Sequence, residues 1–186
     1  MMTSILYPQE GSMSPQAIFQ TQLILGYVAC LLVFGTYMLP RLKSVDRFEA
    51  QRVIATIHSF RFFGLVFILP GVVGPNLPAS FATSAAYGDF ATGLLAILAL
   101  LTARIRPLFW LFVVGFNVVG ATDILVDYYR AVRFGLANVA GQLGATYAIP
   151  IIYVPLLMIT HFGAFALMAR SQLRSAPPLA GGAAAS

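Results

Sequence analysis

The sequence predicts an all-α fold, a transmembrane bundle of about five helices with the N-terminus outside and the C-terminus inside. Composition is the first observation: 59% of the 186 residues are hydrophobic and 9% are charged, against about 25% charged in ordinary soluble domains. The second is that the apolar residues form continuous runs of about 20, long enough to cross a bilayer. These observations exclude a soluble globular domain, a disordered chain and a nucleic-acid-binding module.

Five runs meet the length requirement, and because they are continuous rather than alternating they argue against a transmembrane β-barrel. The predicted spans are residues 17–40, 52–73, 82–104, 107–129 and 148–170. Together they form one transmembrane domain, residues 17–170. Residues 1–16 contain no Lys or Arg, whereas a cleavable signal needs a basic start, so the first span is predicted to be retained.

The parts of the chain outside the spans are short. Residues 131–147 are uncharged after Arg133, and helical spacing of four apolar side chains favours an interfacial or re-entrant helix. These side chains are Leu136, Val139, Ala140 and Leu143. The C-terminal residues 171–186 end in SAPPLAGGAAAS, which lacks core-forming side chains and is predicted to be disordered.

Basic residues set the predicted orientation. Eight of them flank the spans on one side of the predicted bundle, and two flank the spans on the other side. The eight are Arg41, Lys43, Arg47, Arg52, Arg104, Arg106, Arg170 and Arg174, and the two are Arg130 and Arg133. The cytoplasmic side of a membrane protein is the one enriched in Lys and Arg. Residues 1–16 are therefore predicted to be extracytoplasmic and residues 171–186 cytoplasmic.

Charged residues inside the spans are few. Arg61 lies near the middle of the second span, and Asp89 and Asp123 are acids in the third and fourth. Because a charged side chain at the bilayer centre costs about 3 kcal/mol, we expect Arg61 to pair with one of these acids. Such a pair is either a structural contact that fixes helix packing or part of an anion-binding or proton-coupled site.

Two histidines lie at comparable depth in the inner half of the predicted bundle. His58 shares a helix face with Arg61, three residues later, and His161 lies in the fifth span. Two histidines facing each other could ligate the iron of a haem b or relay protons. The remaining interpretation is that each makes only an isolated polar contact.

Other polar side chains have simpler interpretations. Asn117 lies between Gly115 and Gly120, which predicts a hydrogen bond to a closely approaching helix. Asp127 precedes Arg130 by three residues near the outer end of the fourth span, which predicts a solvated surface pair.

Two further residues in the spans concern packing and the backbone. Cys30, the single cysteine, permits no internal disulfide and is predicted to be a small packing residue. Pro155 removes a backbone donor and leaves a carbonyl near residue 151 without its helical partner.

The sequence resembles a group of small, uncharacterised bacterial integral membrane proteins. The resemblance rests on the patterns FRxxG, LPxxFA, GDxxxG, NxxGxxD and PxxxxP followed by His, which here include Arg61, Gly64, Pro78, Gly88, Asp89, Asn117, Gly120, Asp123, Pro155 and His161. It covers residues 58–165 and implies a multi-pass protein of the bacterial cytoplasmic (inner) membrane. It also implies that the polar residues form one centre, consisting of Arg61, Asp89, Asn117, Asp123 and His161.

We therefore expect a membrane protein whose polar centre serves the binding or permeation of a small solute, either an anion or a proton-coupled one. The alternatives are a b-type haem protein with His58 and His161 as ligands, and a structural accessory subunit. Neither the solute-binding interpretation nor the accessory-subunit interpretation predicts a cofactor. No catalytic motif suggests an enzyme. Expected partners are the lipid bilayer, a small solute, and further copies of the chain or a larger membrane complex.

The predicted orientation can be tested with epitope tags in intact cells. A tag at the N-terminus should be accessible to an impermeant label, and a tag at the C-terminus should become accessible only after the membrane is permeabilised. Two tags on the same side would contradict five spans, because an odd number of spans places the ends on opposite sides.

Overall fold

The computed structural model describes residues 13–175, and within this range 87% of the residues are helical and none forms a strand. The predicted all-α fold is thereby confirmed. The main helices are α1 (Pro15–Ser44), α2 (Arg47–His58), α3 (Ala79–Leu101), α4 (Arg106–Arg133) and α5 (Val154–Ser175). Because α5 continues to Ser175, residues 171–175 are helical rather than part of a disordered tail. Residues 1–12 and 176–186 lie outside the described residues.

Short-range signals in the sequence fix where the helices begin. Ser14 caps α1 by accepting a hydrogen bond from the Ala17 amide at 3.1 Å, and Pro15 occupies the first turn, where no donor is needed. Asp46 caps α2 by accepting from the Glu49 amide at 3.0 Å. The break between α1 and α2 is therefore encoded locally.

Four of the helices are long and apolar enough to cross a membrane. They are Pro15–Ser44, Ala79–Leu101, Arg106–Arg133 and Ile149–Ala169. They correspond to the first, third, fourth and fifth predicted spans, which confirms a membrane-embedded helical protein.

The second predicted span has a different structure. α2 ends at His58, and a 3₁₀ helix continues over Ser59–Ile68. This helix stops before the predicted residue 73 because Leu69 precedes Pro70 and adopts an extended conformation, and a residue before proline disfavours the helical region. In a 3₁₀ helix every third residue lies on one face, so Arg61, Gly64 and Phe67 are buried together.

Two π turns occur beside prolines within helical segments. Phe34–Met38 precedes Pro40, and Ile149–Tyr153 precedes Pro155. A proline ring clashes with the carbonyl four residues earlier, and widening the preceding turn relieves that clash.

The carbonyl groups near Pro155 face α1. The Ile151 carbonyl lies against Gly26, and the Cys30 thiol donates weakly to the Ile152 carbonyl at 3.7 Å. Gly26 allows this contact because a side chain there would occupy the position of the Ile151 carbonyl oxygen.

The chain runs back and forth between two ends of the bundle. We call one the basic end, where the loops after α1 and α3 meet: the Arg106 guanidinium lies 3.6 Å from the centre of the Phe48 ring, and that of Arg47 lies 4.3 Å from the centre of Trp110. The other, the distal end, contains residues 69–78 and 134–148. Arginines distant in sequence therefore gather at one end.

A second 3₁₀ segment, Leu136–Tyr147, lies across the distal end. Three residues of the predicted apolar face, Leu136, Ala140 and Leu143, are buried there, whereas the fourth, Val139, is half-buried and has non-helical backbone angles. Its backbone forms hydrogen bonds with the loop that follows the first 3₁₀ helix. The Gly74 amide donates to the Gln142 carbonyl at 2.7 Å, and the Ala145 amide donates to the Val72 carbonyl at 3.3 Å.

Gly144 is required for this contact, which gives a testable prediction. Its φ of +52° and ψ of −129° suit only glycine, and an added Cβ would overlap the Val72 carbonyl oxygen. Gly144→Ala should lower the free energy of unfolding by about 1–3 kcal/mol, measured by unfolding in detergent.

Gly141→Ala is the matched control, because a Cβ at that position meets open space. It should be neutral or slightly stabilising. Equal stability of the two variants would contradict the proposed contact between the two segments.

Candidate functional site

Arg61 is the centre of a buried ion-pair network. It lies in the first 3₁₀ helix with 1% of its surface exposed. Its Nε donates to Asp89 Oδ1 of α3 at 2.6 Å, and its Nη2 donates to Asp123 Oδ2 of α4 at 2.6 Å. The sequence predicted one partner from these two acids, but the guanidinium binds both.

The remaining contacts of Arg61 extend the network to α5. Nη1 donates to the Gly120 carbonyl at 3.3 Å and lies 3.3 Å from His161 Nε2. His161 Nδ1 in turn lies 3.0 Å from Asn117 Oδ1, while Asn117 Nδ2 donates to the Val113 carbonyl. Since Arg61 has no acceptor, His161 Nε2 must accept and Nδ1 must carry the proton.

The structure thus brings Arg61, Asp89, Asn117, Asp123 and His161 into one connected cluster of side chains. Glycines make the close approach possible. A Cβ at Gly120 would lie 2.5 Å from Arg61 Nη1 and 2.7 Å from His161 Nε2, and one at Gly88 would overlap the Asp123 carboxylate. Helix packing and charge pairing are therefore coupled at this level of the bundle.

A cavity of about 330 Å³ lies between the cluster and the distal end. Arg61 and Asp89 line it on the side of the cluster, and α1, α3, α4 and the residues around Pro150 provide its walls. Aromatic and polar side chains both line it, including Phe19, Phe67, Phe81, Tyr128, Gln16, Gln20 and Asn138. The charged cluster therefore faces a space large enough for a small molecule.

Asp127 belongs to this cavity, and the prediction that it forms a solvated surface pair is wrong. It lines the cavity, and its Oδ1 is buried with no hydrogen-bond partner. Arg130 instead donates to the Ser80 carbonyl at 3.1 Å. The signal that could have placed Asp127 is its spacing from Asp123, because residues i and i+4 share a helix face.

On the other side of the cluster, His58 stacks on His161 with ring centroids 4.0 Å apart and an angle of 38° between the planes. His58 Nε2 lies 3.0 Å from the Thr160 hydroxyl, and its Nδ1 is buried without a partner. Closer to the basic end, Gln51 donates to the Ala164 carbonyl, and its Oε1 is buried and unpaired. Buried polar groups therefore continue from the cluster towards the basic end.

The histidine pair does not fit the haem alternative. Two axial ligands must stand on opposite faces of the macrocycle, with the iron between their nitrogens. The stacked rings of His58 and His161 leave no gap for a porphyrin, and His161 uses both nitrogens in hydrogen bonds. Within residues 13–175, no group of three or more His, Cys, Asp or Glu residues could hold a metal ion.

The fold and the site together define a helical membrane-embedded protein with a buried ion-pair cluster beside a cavity. The chain matches the model of a domain of unknown function, DUF8737, over residues 18–169, and it belongs to that family. Comparison with curated proteins and with solved structures gives no match. The match agrees with the resemblance to an uncharacterised family, while the sequence patterns and bacterial origin stay predictions.

The two ion pairs can be tested by removing their charges step by step. Arg61→Leu should destabilise the protein by about 3–5 kcal/mol, because two carboxylates are left buried without their partner. Adding Asp89→Asn and Asp123→Asn to Arg61→Leu should recover most of this loss, measured as the free energy of unfolding in detergent.

An exposed pair provides the control. Arg52 and Glu49 form a salt bridge of 2.7 Å with side chains that are 44% and 43% exposed, so Arg52→Leu should cost less than about 1 kcal/mol. A triple variant no more stable than Arg61→Leu would show that the charges are not coupled.

Proposed function

We propose that the chain crosses the membrane five times and binds a small solute in the cavity beside Arg61. The span that adds to the four long helices is the second along the chain, Arg47–Ile68, which contains 12 α-helical and 10 3₁₀ residues. At about 1.5 and 2.0 Å per residue these give roughly 38 Å, enough for a hydrocarbon core of about 30 Å. The apolar 3₁₀ helix therefore serves as half of a span.

The orientation in this proposal follows the basic residues. The basic end, which includes Arg47 and Arg106, faces the cytoplasm, so the distal end and its cavity face the outside. The resemblance to bacterial proteins favours the cytoplasmic membrane. A solute would then enter from the extracytoplasmic side.

The observation that carries the binding proposal is a cavity that ends on the charged cluster. Its volume of about 330 Å³ falls within the range of small-molecule sites, roughly 300–1,000 Å³. Such sites combine apolar walls with a few convergent polar groups, and Arg61, Asp89 and Asp127 are such groups here.

The geometry favours the proton-coupled version of this function over the anion-binding version. Arg61 directs its guanidinium towards Asp89, Asp123, Gly120 and His161, so four of its five N–H groups already have acceptors. Carboxyl and imidazole groups can take up and release protons, and the cluster and cavity contain those of Asp89, Asp123, Asp127 and His161. Buried ionisable groups of this kind mark proton and solute pathways in membrane proteins. In this proposal Arg61 is a fixed charge and the carboxyl groups carry protons, while His161 accepts a hydrogen bond from Arg61 and donates one to Asn117.

Permeation through the protein would use the polar groups on the other side of the cluster. His58 Nδ1 and Gln51 Oε1 are buried and unpaired, and buried polar atoms of this kind are normally paired with ordered water. Hydrated in this way, they would connect the cluster with the basic end.

The proposal can be tested by asking whether small reagents enter the cavity. Ala131 lines the cavity, and in a Cys30→Ala background Ala131→Cys should react readily with the neutral reagent methyl methanethiosulfonate. A thiol in a hydrated cavity can ionise, and the thiolate is the reactive form. Adding Ala85→Leu, which fills the cavity from α3, should slow the reaction.

Val118→Cys is the matched control on the same helix, because Val118 is 51% exposed on the apolar surface. Its thiol would face lipid, where ionisation is unfavourable, and should react slowly. If Ala131→Cys reacts no faster than Val118→Cys, the cavity does not admit solutes and the accessory-subunit interpretation is favoured.

A further inference from the structure

We propose that the occupant of the cavity is an organic cation with an apolar body, of the class of quaternary or protonated amines. This inference rests on the proposed function, because it names the class of solute for the same site.

The first argument is the charge around the cavity. Two guanidinium groups, those of Arg61 and Arg130, act on three carboxyl groups, those of Asp89, Asp123 and Asp127. With all carboxyl groups ionised, the formal charge is −1. A buried excess of charge is costly unless it is paired, and a cationic occupant of the cavity would supply the missing pairing.

The second argument is that carboxylate oxygens facing the cavity lack donors. Asp89 has 6% of its surface exposed and accepts one hydrogen bond, at Oδ1 from Arg61. Its Oδ2 accepts none from the described residues. Asp127 accepts no hydrogen bond from the described residues; its Oδ1 is buried, so its Oδ2 is the oxygen that an occupant could reach. The Oδ2 atoms of Asp89 and Asp127 are therefore free to accept an N–H group or to face a quaternary ammonium.

The third argument is the aromatic lining. Phe67 and Phe81 meet edge to face, with ring centroids 6.2 Å apart, and both line the cavity. Tyr128 also lines it, and its hydroxyl shares a hydrogen bond of 2.6 Å with that of Tyr27. Aromatic rings attract cations through their negative faces, which is how proteins recognise quaternary ammonium groups.

Other charge classes fit less well. An anion would meet an excess of carboxyl groups, and the guanidinium that could attract it is already engaged with Asp89 and Asp123. A metal ion would need several ligands around one point. Within the described range, no group of three or more His, Cys, Asp or Glu residues is placed so that it could hold one. An apolar wall around a small charged patch instead suits an amphipathic cation.

The test compares thiol reagents of opposite charge in the Cys30→Ala, Ala131→Cys protein. The cationic trimethylammonioethyl methanethiosulfonate should react about tenfold or more faster than the anionic sulfonatoethyl reagent, after correction for their rates with a free thiol, because negative potential concentrates cations. Benzyltrimethylammonium should protect the thiol, and benzenesulfonate should not.

Asp127→Asn should reduce the preference for the cationic reagent several-fold, whereas Glu49→Gln, a neutralisation at the basic end, should leave it unchanged. If Asp127→Asn does not fold, protection by benzyltrimethylammonium still decides the question in the parent protein. Reaction with the neutral reagent but no preference for cations would overturn this inference and leave the proposed function intact. No reaction with any reagent would overturn both.

Discussion

The buried guanidinium of Arg61 is the constraint on which the rest of the structure depends. An arginine with 1% of its surface exposed is tolerated inside a membrane only when its charge and its donors are paired. Asp89 and Asp123 supply charge, and the Gly120 carbonyl and His161 supply acceptors. The 3₁₀ helix, α3, α4 and α5 must therefore meet at one level of the bundle.

The local backbone allows these four helices to approach one another closely around Arg61. A 3₁₀ helix repeats every three residues, so Arg61 and Gly64 lie on the same face, and Gly64 leaves room for Asp89. Gly88 and Gly120 make room for the Asp123 and Arg61 side chains in the same way. The small residues thus set how closely the helices approach, and the charges set which helices do so.

The cluster around Arg61 contains more acidic groups than basic ones. The acids that stabilise Arg61 outnumber it, and Asp127 adds a carboxyl group whose Oδ1 is buried without a hydrogen-bond partner. A structure that only required a neutral ion pair would need one acid. The additional acids lie where the bundle opens into a cavity, which connects the stability of the centre with the binding proposed for it.

The sequence by itself determined the membrane class, four spans close to their limits and the candidates for the polar cluster, because apolar run length and the cost of buried charge act locally along the chain. The tertiary structure decided that Arg61 binds two acids, that His58 stacks on His161 instead of facing it across a cofactor, and that Asp127 turns towards a cavity. It also decided that residues Ser59–Ile68, within the second predicted span, form a 3₁₀ helix. These features depend on helix rotation and approach, which hydrophobicity leaves free and only the contacts between helices fix.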